Sequence, residues 1–215
     1  MANEKRTSRS KGRPVATASG GAREALLDAA QELFGRQGIA ATSLAKIAAQ
    51  ADMTPAMVHY YFSSRDQLLD ALLEERIQPL IDRVWGPVPA QPEAVESILD
   101  GMIHRLVEGA AAKPWLPPLW VREVLSEGGL LRERMLKRLP VAKLGVLAAA
   151  VAKGQAEGRV NPDLHPPLLV MSVLGLSLLP LAMSGVWKQV PGLAGIPQDH
   201  IARHASALLR QGLQP

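Results

Sequence analysis

One stretch of the chain, Thr42–Phe62, constrains the fold more than any other. In its first half, apolar residues recur at the i, i+3, i+4, i+7 spacing of one helix face. These residues are Leu44, Ile47, Ala48 and Ala51. Thr42 or Ser43 can cap this helix, because a hydroxyl oxygen accepts a hydrogen bond from a backbone N–H of the first turn. After an interruption, Thr54 supplies a second capping side chain and Pro55 suits the first helical position, so a second short helix begins there.

The second helix has an inward and an outward side. Val58 and Phe62 lie four residues apart and can pack on the first helix, where the small Ala48 allows a close approach. The outward side is left with Met57, His59 and Tyr60. Two short helices joined by a tight turn form a unit that places its second helix in the DNA major groove. The stretch therefore predicts a helix-turn-helix.

The same residues resemble the recognition region of the TetR family of bacterial transcriptional regulators. That region reads roughly IA..AGVS...LYHYF..K..L, against IAAQADMTPAMVHYYFSSRDQL in this chain. The resemblance covers residues 22–72 and weakens beyond them. It implies an all-α fold with an N-terminal three-helix helix-turn-helix DNA-binding domain and a larger C-terminal helical domain for ligand binding and dimerisation.

Composition and charge divide the chain into three parts. Residues 1–20 are polar and account for the whole net charge of +4, so we expect a disordered basic arm. We place the helix-turn-helix domain at 21–66 and the effector-binding and dimerisation domain at 67–215. Within the arm, Lys11-Gly12-Arg13-Pro14 resembles the core of AT-hook peptides, in which an arginine enters a narrow minor groove. The alternative is a solubilising tail that contacts phosphates at most.

Apolar periodicity predicts the remaining helices. They lie at about 22–37, 64–85, 95–107, 130–157, 166–187 and 198–211. Prolines predict breaks at 86–92 and 113–118, and Pro140 should kink or divide the helix that contains it. Residues 166–187 carry no formal charge and are long enough to cross a bilayer, but Pro180 and the single basic flank favour a helix enclosed by protein. We expect no membrane span.

The sequence lacks the signatures of an enzyme. It contains no Gly-rich phosphate loop, no nucleophile elbow, no carboxylate cluster with metal spacing and no cysteine. His200 and His204 are spaced for one helix face, but no third zinc ligand is nearby, so an ordinary polar face is the better interpretation. We expect no enzymatic activity, no metal and no cofactor. The absence of cysteine and of an apolar segment near Met1 favours a cytoplasmic protein.

The resemblance assigns DNA-binding roles residue by residue. It implies that Met57 and His59 reach base edges, and that the backbone near Thr54, Pro55 and Ala56 comes close to the groove. The implied phosphate contacts are Thr42, Ser43, Tyr60, Tyr61 and Arg65. The first two also lie at a helix N-terminus, where the dipole favours an anion.

Candidate ligand residues lie on the predicted helices of the larger domain. Thioethers and flat aromatic rings suit an apolar or aromatic molecule. The candidates are Met102, Trp115, Trp120, Met135 and Met171. Arg122 or Glu123 could orient a polar end, and core packing is the alternative for each apolar residue. We expect a cavity on the order of a few hundred Å³ between helices near 95–107, 118–126, 130–153 and 168–183.

The resemblance also implies a mechanism. A homodimer would place two recognition helices in successive major grooves of a palindromic double-stranded operator. A small molecule in the larger domain would change the spacing of the two heads and release the repressor. We expect the dimer to form through the helices at 166–187 and 198–211. The alternative is a dimeric regulator controlled by a protein partner, which a fully packed C-terminal core would favour.

Overall fold

A computed structural model describes the backbone of residues 15–86 and 95–215 and the side chains of residues 20–86 and 95–215. All regular structure in these ranges is helical, which confirms the all-α fold class. The helices are α1 (Val15–Gln37), α2 (Leu44–Gln50), α3 (Pro55–Tyr61), α4 (Arg65–Leu72), α5 (Gln78–Trp85), α6 (Val95–Ala112), α7 (Leu116–Trp120), α8 (Arg132–Leu136), α9 (Val141–Ala156), α10 (Pro166–Ala182), α11 (Ser184–Trp187) and α12 (Gln198–Leu213). Two π-helical turns, Leu73–Ile77 and Val121–Leu125, join α4 to α5 and extend α7.

The N-terminal core holds the helix pair in place. Its fully buried side chains include Leu26, Leu27, Phe34, Ile39, Ile47, Ala48, Val58 and Leu68. Residues of α7, α8 and the loop between them belong to the same core, namely Leu116, Leu119, Leu131 and Met135. The apolar contacts around the helix pair therefore continue well beyond residue 66, where the sequence places the domain boundary.

The C-terminal core is built around α6. Its buried residues face α5, α9, α10 and α12, and they include Leu99, Met102, Ile103 and Val107. From the surrounding helices come Val84, Val151, Val173 and Ala205. Trp120, at the end of α7, packs against both cores. This side chain therefore lies where the two halves of the molecule meet.

Ion pairs join α1 to the π-helical turn after α4. Arg23 donates from both terminal nitrogens to Glu75, at 2.7 and 2.5 Å. The hydrogen bond from Arg23 lowers the pKa of the Glu75 carboxyl below its ordinary value, although burial acts in the opposite direction. A carboxyl with a lowered pKa stabilises the folded state at neutral pH, and that contribution is lost as the pH falls through its folded pKa. Arg76 makes a similar connection to Glu24 and Asp28.

A second set of ion pairs joins α8 to α4. Arg134 contacts Asp66 at 2.5 Å and Asp70 at 3.0 Å. Burial lowers the pKa of the Arg134 guanidinium, whereas its hydrogen bonds to these two carboxylates raise it, and the net shift is upward. Arg138 contacts Glu74 at 3.3 Å. The helix that follows the helix-turn-helix is therefore held to α8 by charge as well as by apolar contact.

The first helix begins earlier than predicted. It starts at Val15 rather than Ala22, so residues 15–20 are helical instead of disordered. The alanines in this stretch have high helix propensity, which lets the helix extend through two glycines towards its N-terminus. Residues 1–14 lie outside the described part of the chain, and with them Arg13 and the motif resembling an AT-hook.

Prolines shape the C-terminal half in two ways. The break predicted at 113–118 is shorter, because Pro117 and Pro118 occupy the first turn of α7, where their missing N–H groups cost nothing. Pro140 separates α8 from α9, as predicted, although α8 begins at Arg132. The break predicted at 86–92 begins with Gly86, which ends α5, and otherwise lies outside the described residues.

The uncharged stretch 166–187 is divided between α10 and α11. Within the described ranges, no helix combines the length and the apolar character needed to cross a membrane.

Candidate nucleic-acid interface and ligand cavity

The turn between α2 and α3 is defined by backbone geometry. Ser43, rather than Thr42, caps α2, and its hydroxyl accepts from the Lys46 N–H at 3.2 Å. Asp52 has a φ of 54°, a left-handed conformation that aspartate adopts more readily than most residues. The Met53 N–H then donates to the Ala48 carbonyl at 2.8 Å. These contacts fix the direction in which α3 leaves the turn.

The orientation of α3 agrees with its predicted inward and outward sides. Val58 and Phe62 are buried against the N-terminal core. Pro55, Ala56 and His59 are exposed, and Met57 is half-buried. The outer face of α3 is therefore free to approach another molecule.

Two tyrosines lie at the end of α3. The Tyr60 side chain is 76% exposed, and its ring meets that of Tyr61 edge to face with centroids 4.9 Å apart. This contact restrains a large side chain that would otherwise move freely on the surface. Both rings thus have a defined position beside the exposed face.

Thr42 is a correction to the predicted phosphate contacts. Its side chain is buried, and its hydroxyl donates to the Gly38 carbonyl at 2.7 Å and accepts from the Gln37 amide at 2.9 Å. This hydroxyl is therefore occupied within the protein. Its neighbour Ser43 is exposed and remains at the N-terminus of α2.

Arg65 also differs from the prediction. One of its terminal nitrogens donates to the Ile39 carbonyl, and its Nε is buried without a partner among the described residues. The side chain is half-buried. Part of the guanidinium is thus used to connect α4 to the turn after α1, which limits what it can offer to a phosphate.

Lys46 is a cation that the sequence interpretation overlooked. It is exposed on α2, and its ammonium donates to the Ala41 carbonyl at 2.9 Å. Because α3 contains no lysine or arginine, Lys46 supplies a positive charge that α3 lacks. The sequence feature that could have identified Lys46 is its position three residues after the cap, on the polar side of an amphipathic helix.

A cavity of about 510 Å³ lies between the two cores. It is lined by α5, α6, α7, α8, α9 and α10, and thus by the helices expected from the sequence together with α5, which was not expected. Four of the predicted ligand residues line it, namely Met102, Trp120, Met135 and Met171. The wall is otherwise almost entirely aliphatic, and Arg138 is the single charged residue that the described chain places in it.

Trp115, Arg122 and Glu123 do not line this cavity. Trp115 lies against Gly35 of α1, and Arg122 lies beside Gly38. Trp115 precedes α7, and for Arg122 and Glu123 the cause is the π-helical turn after Trp120, since its i→i+5 hydrogen bonds change which residues share a face. The three side chains consequently face the N-terminal half.

Glu123 instead connects α7 to the turn after α1. It is buried, and one carboxylate oxygen accepts from the Ile39 N–H at 2.8 Å. The other oxygen accepts from the Leu130 N–H at 3.1 Å. The predicted ligand contact is thus a structural link between the turn after α1 and the π-helical turn after α7.

The histidine pair on α12 lies at the surface. His200 and His204 line a surface depression beside Leu176 and Trp187. Among the described residues, no three His, Cys, Asp or Glu side chains come together in a way that could hold a metal ion.

Comparison with known proteins gives consistent results. A family model described as "Bacterial regulatory proteins, tetR family" matches residues 26–72. The transcriptional regulator SrpR of Pseudomonas putida is 30% identical over 169 residues, which cover 73% of each chain. BetI of Rhizobium meliloti is 42% identical over 60 residues, covering 28% of this chain and 30% of BetI. The ketosteroid transcriptional regulator KstR2 of Mycobacterium tuberculosis has a similar fold, with a TM-score of 0.70. The two chains are 17% identical, and the match covers 96% of this chain and 100% of KstR2.

Proposed function

This chain belongs to the TetR family of DNA-binding transcriptional regulators, and from that premise we propose that it is a ligand-responsive repressor. It would bind a palindromic operator as a homodimer and be released by a small apolar or aromatic effector. The observation that carries this proposal is the cavity of about 510 Å³ between the core of the helix-turn-helix and the C-terminal core. A molecule in that space would contact both halves at once.

The DNA would be read by the exposed side of α3. His59 and Met57 would reach base edges, while the backbone at Thr54, Pro55 and Ala56 would approach the groove. The phosphate contacts would come from Ser43, Tyr60, Tyr61 and Lys46, with a smaller part for Arg65. Because α3 carries no full positive charge, much of the electrostatic attraction would come from the basic arm, with Arg13 in an adjacent minor groove.

The homodimer would form through α10 and α12. Both helices expose apolar side chains, among them Leu168, Met171, Leu179 and Leu208. Covering such a surface in a symmetric dimer would remove it from water. Leu208, which is 48% exposed, is a better probe of this interface than Leu174, because Leu174 lines the cavity.

Release would follow from the position of the cavity. Its wall includes residues of the N-terminal core, such as Ile77 and Met135, and of the C-terminal core, such as Met102 and Val173. A ligand that favours one arrangement of these cores would shift the spacing of the two recognition helices. Regulation by a protein partner alone would need no such space, so the cavity favours the ligand-responsive alternative.

Selection of bound duplexes from random DNA tests this proposal at the level of single residues. His59→Ala should change the base preference at defined positions of the selected site, because its ring would contact base edges. Tyr60→Phe should weaken binding to every sequence alike by about fivefold, the effect of one lost hydrogen bond to a phosphate. Affinities would be measured by gel shift at one fixed salt concentration.

The matched control is His104→Ala, which removes a half-buried histidine from α6, outside the proposed DNA and dimer surfaces, and should leave both affinity and preference unchanged. Enrichment of no sequence, or a base-specific change in Tyr60→Phe but not in His59→Ala, would contradict the assigned roles.

A further inference from the structure

Among the described residues, Arg138 is the one charged residue in the otherwise apolar wall of the cavity. Arg138 follows α8, close to Met135 and just before Pro140, which also line the space. A guanidinium is always charged at neutral pH and offers two parallel N–H groups to a carboxylate. A ligand that is apolar over most of its surface would therefore gain the most affinity from a single anionic group placed next to Arg138.

The present partners of Arg138 leave its guanidinium available. One terminal nitrogen contacts the Glu74 carboxylate at 3.3 Å, and the other donates to the Arg134 carbonyl at 3.2 Å. The Glu74 side chain is 66% exposed, whereas that of Arg138 is only 24% exposed. A long ion pair with so exposed a carboxylate contributes little, because water screens it. A second carboxylate, approaching from the apolar side, can replace Glu74.

Building on the ligand-responsive function proposed above, we propose that the effector is an apolar carboxylic acid whose carboxylate pairs with Arg138. Its hydrocarbon part would lie along Met102, Trp120 and Met135, where thioethers and an indole ring adapt to its shape. The carboxylate would form two charge-assisted hydrogen bonds with the guanidinium in place of the single contact to Glu74.

Replacement of Glu74 by the effector carboxylate would also transmit ligand binding to the DNA-binding half. Glu74 belongs to the π-helical turn that continues α4, the helix that follows the recognition helix. Loss of its contact with Arg138 would leave Arg134 alone to hold α8 to α4 by charge. An acid in the cavity would thus loosen the connection between the cavity wall and the DNA-binding half.

Titration of the full-length protein with dodecanoate, dodecan-1-ol and dodecyltrimethylammonium tests the inference. The three probes share one hydrocarbon chain and differ in charge. Binding would be followed by tryptophan fluorescence, because Trp85 and Trp120 line the cavity, and by calorimetry. Dodecanoate should bind at least tenfold more tightly than the alcohol, and the cation no more tightly than the alcohol.

Variants separate the role of Arg138 from general effects. Arg138→Gln should lower the affinity for dodecanoate at least tenfold and leave that for dodecan-1-ol unchanged, whereas Lys137→Gln, at an exposed neighbour, should change neither. Glu74→Gln removes the competing carboxylate from an exposed position and should raise the affinity for dodecanoate several-fold. Because Glu74→Gln gains affinity, its effect cannot arise from misfolding.

Failure of this inference is distinguishable from failure of the proposed function. Absence of dodecanoate binding, equal binding of acid and alcohol, or an unchanged dodecanoate affinity in both Arg138→Gln and Glu74→Gln would overturn it. Specific binding to a selected duplex is measured separately, without any ligand. If that binding is present while the acid shows no preference, the regulator proposal stands and the carboxylate assignment is wrong.

Discussion

Glu123→Ala is expected to lower the free energy of unfolding by about 2–4 kcal/mol, because it leaves a buried backbone N–H without its charged acceptor. The N–H of Ile39 is buried with its residue, and it donates to Glu123 at 2.8 Å. The carbonyl of the same residue accepts from Arg65. Ile39 lies between α1 and α2, so loss of its hydrogen bond to Glu123 should also loosen the helix pair and weaken DNA binding.

Urea unfolding followed by circular dichroism would measure this effect. The matched control is Glu127→Ala, four residues later and exposed, which should change stability by less than about 0.5 kcal/mol. The stability of Glu123→Gln should lie between those of the two alanine variants, since an amide keeps one acceptor oxygen but turns an NH₂ group towards the other N–H. Equal stability of Glu123→Ala and Glu127→Ala would show that this carboxylate does not hold the turn after α1 to the segment after α7.

Gly35→Ala is expected to destabilise the protein by about 1–3 kcal/mol, because a methyl group has no room where α1 meets α7. An added Cβ would lie 2.7 Å from the Trp115 Cβ and 2.8 Å from the Trp115 carbonyl oxygen. The second of these atoms belongs to the backbone and cannot move aside as a side chain does. The two helices would have to separate at the junction that Glu123 also connects.

The control for this change lies in the same helix. Gly21→Ala meets nothing within 4 Å and should instead stabilise the protein by about 0.5–1 kcal/mol, because alanine favours the helix more than glycine does. The two substitutions are chemically identical, so opposite signs in a thermal unfolding experiment can arise only from their surroundings. Stabilisation by both would mean that α1 and α7 are not in close contact.

The helix-turn-helix was predictable because its determinants are local. The cap at Ser43, the proline at the start of α3 and the spacing of Val58 and Phe62 all lie within one short stretch. Periodicity over such a distance indicates which side chains turn inward. Even here the sequence could not distinguish the two adjacent hydroxyls, because the burial of Thr42 depends on the Gly38 carbonyl at the end of α1.

The junction between α1 and α7 was not predictable, because its contacts join distant parts of the chain. Glu123 and Ile39 are separated by 84 positions. Residue type suggested that Arg122 or Glu123 contacts the ligand, yet it could not tell the cavity side of the helix from the side facing α1. A π-helical turn, which α-helical periodicity does not predict, determines which of these side chains face α1. The predicted ligand residues that line the cavity, such as Met102, lie in regular helices.

Fluorescence anisotropy on the selected duplex and on the same duplex with one half-site scrambled tests the central claim most directly. A dimeric reader of a palindrome should lose at least about 100-fold in affinity when one half-site is scrambled, since several mismatched base pairs each cost binding energy. Leu208→Arg, which places a charge in the proposed interface, should bind the intact duplex about as weakly as the wild-type protein binds the scrambled one. Equal affinity of the wild-type protein for the two duplexes would contradict the account.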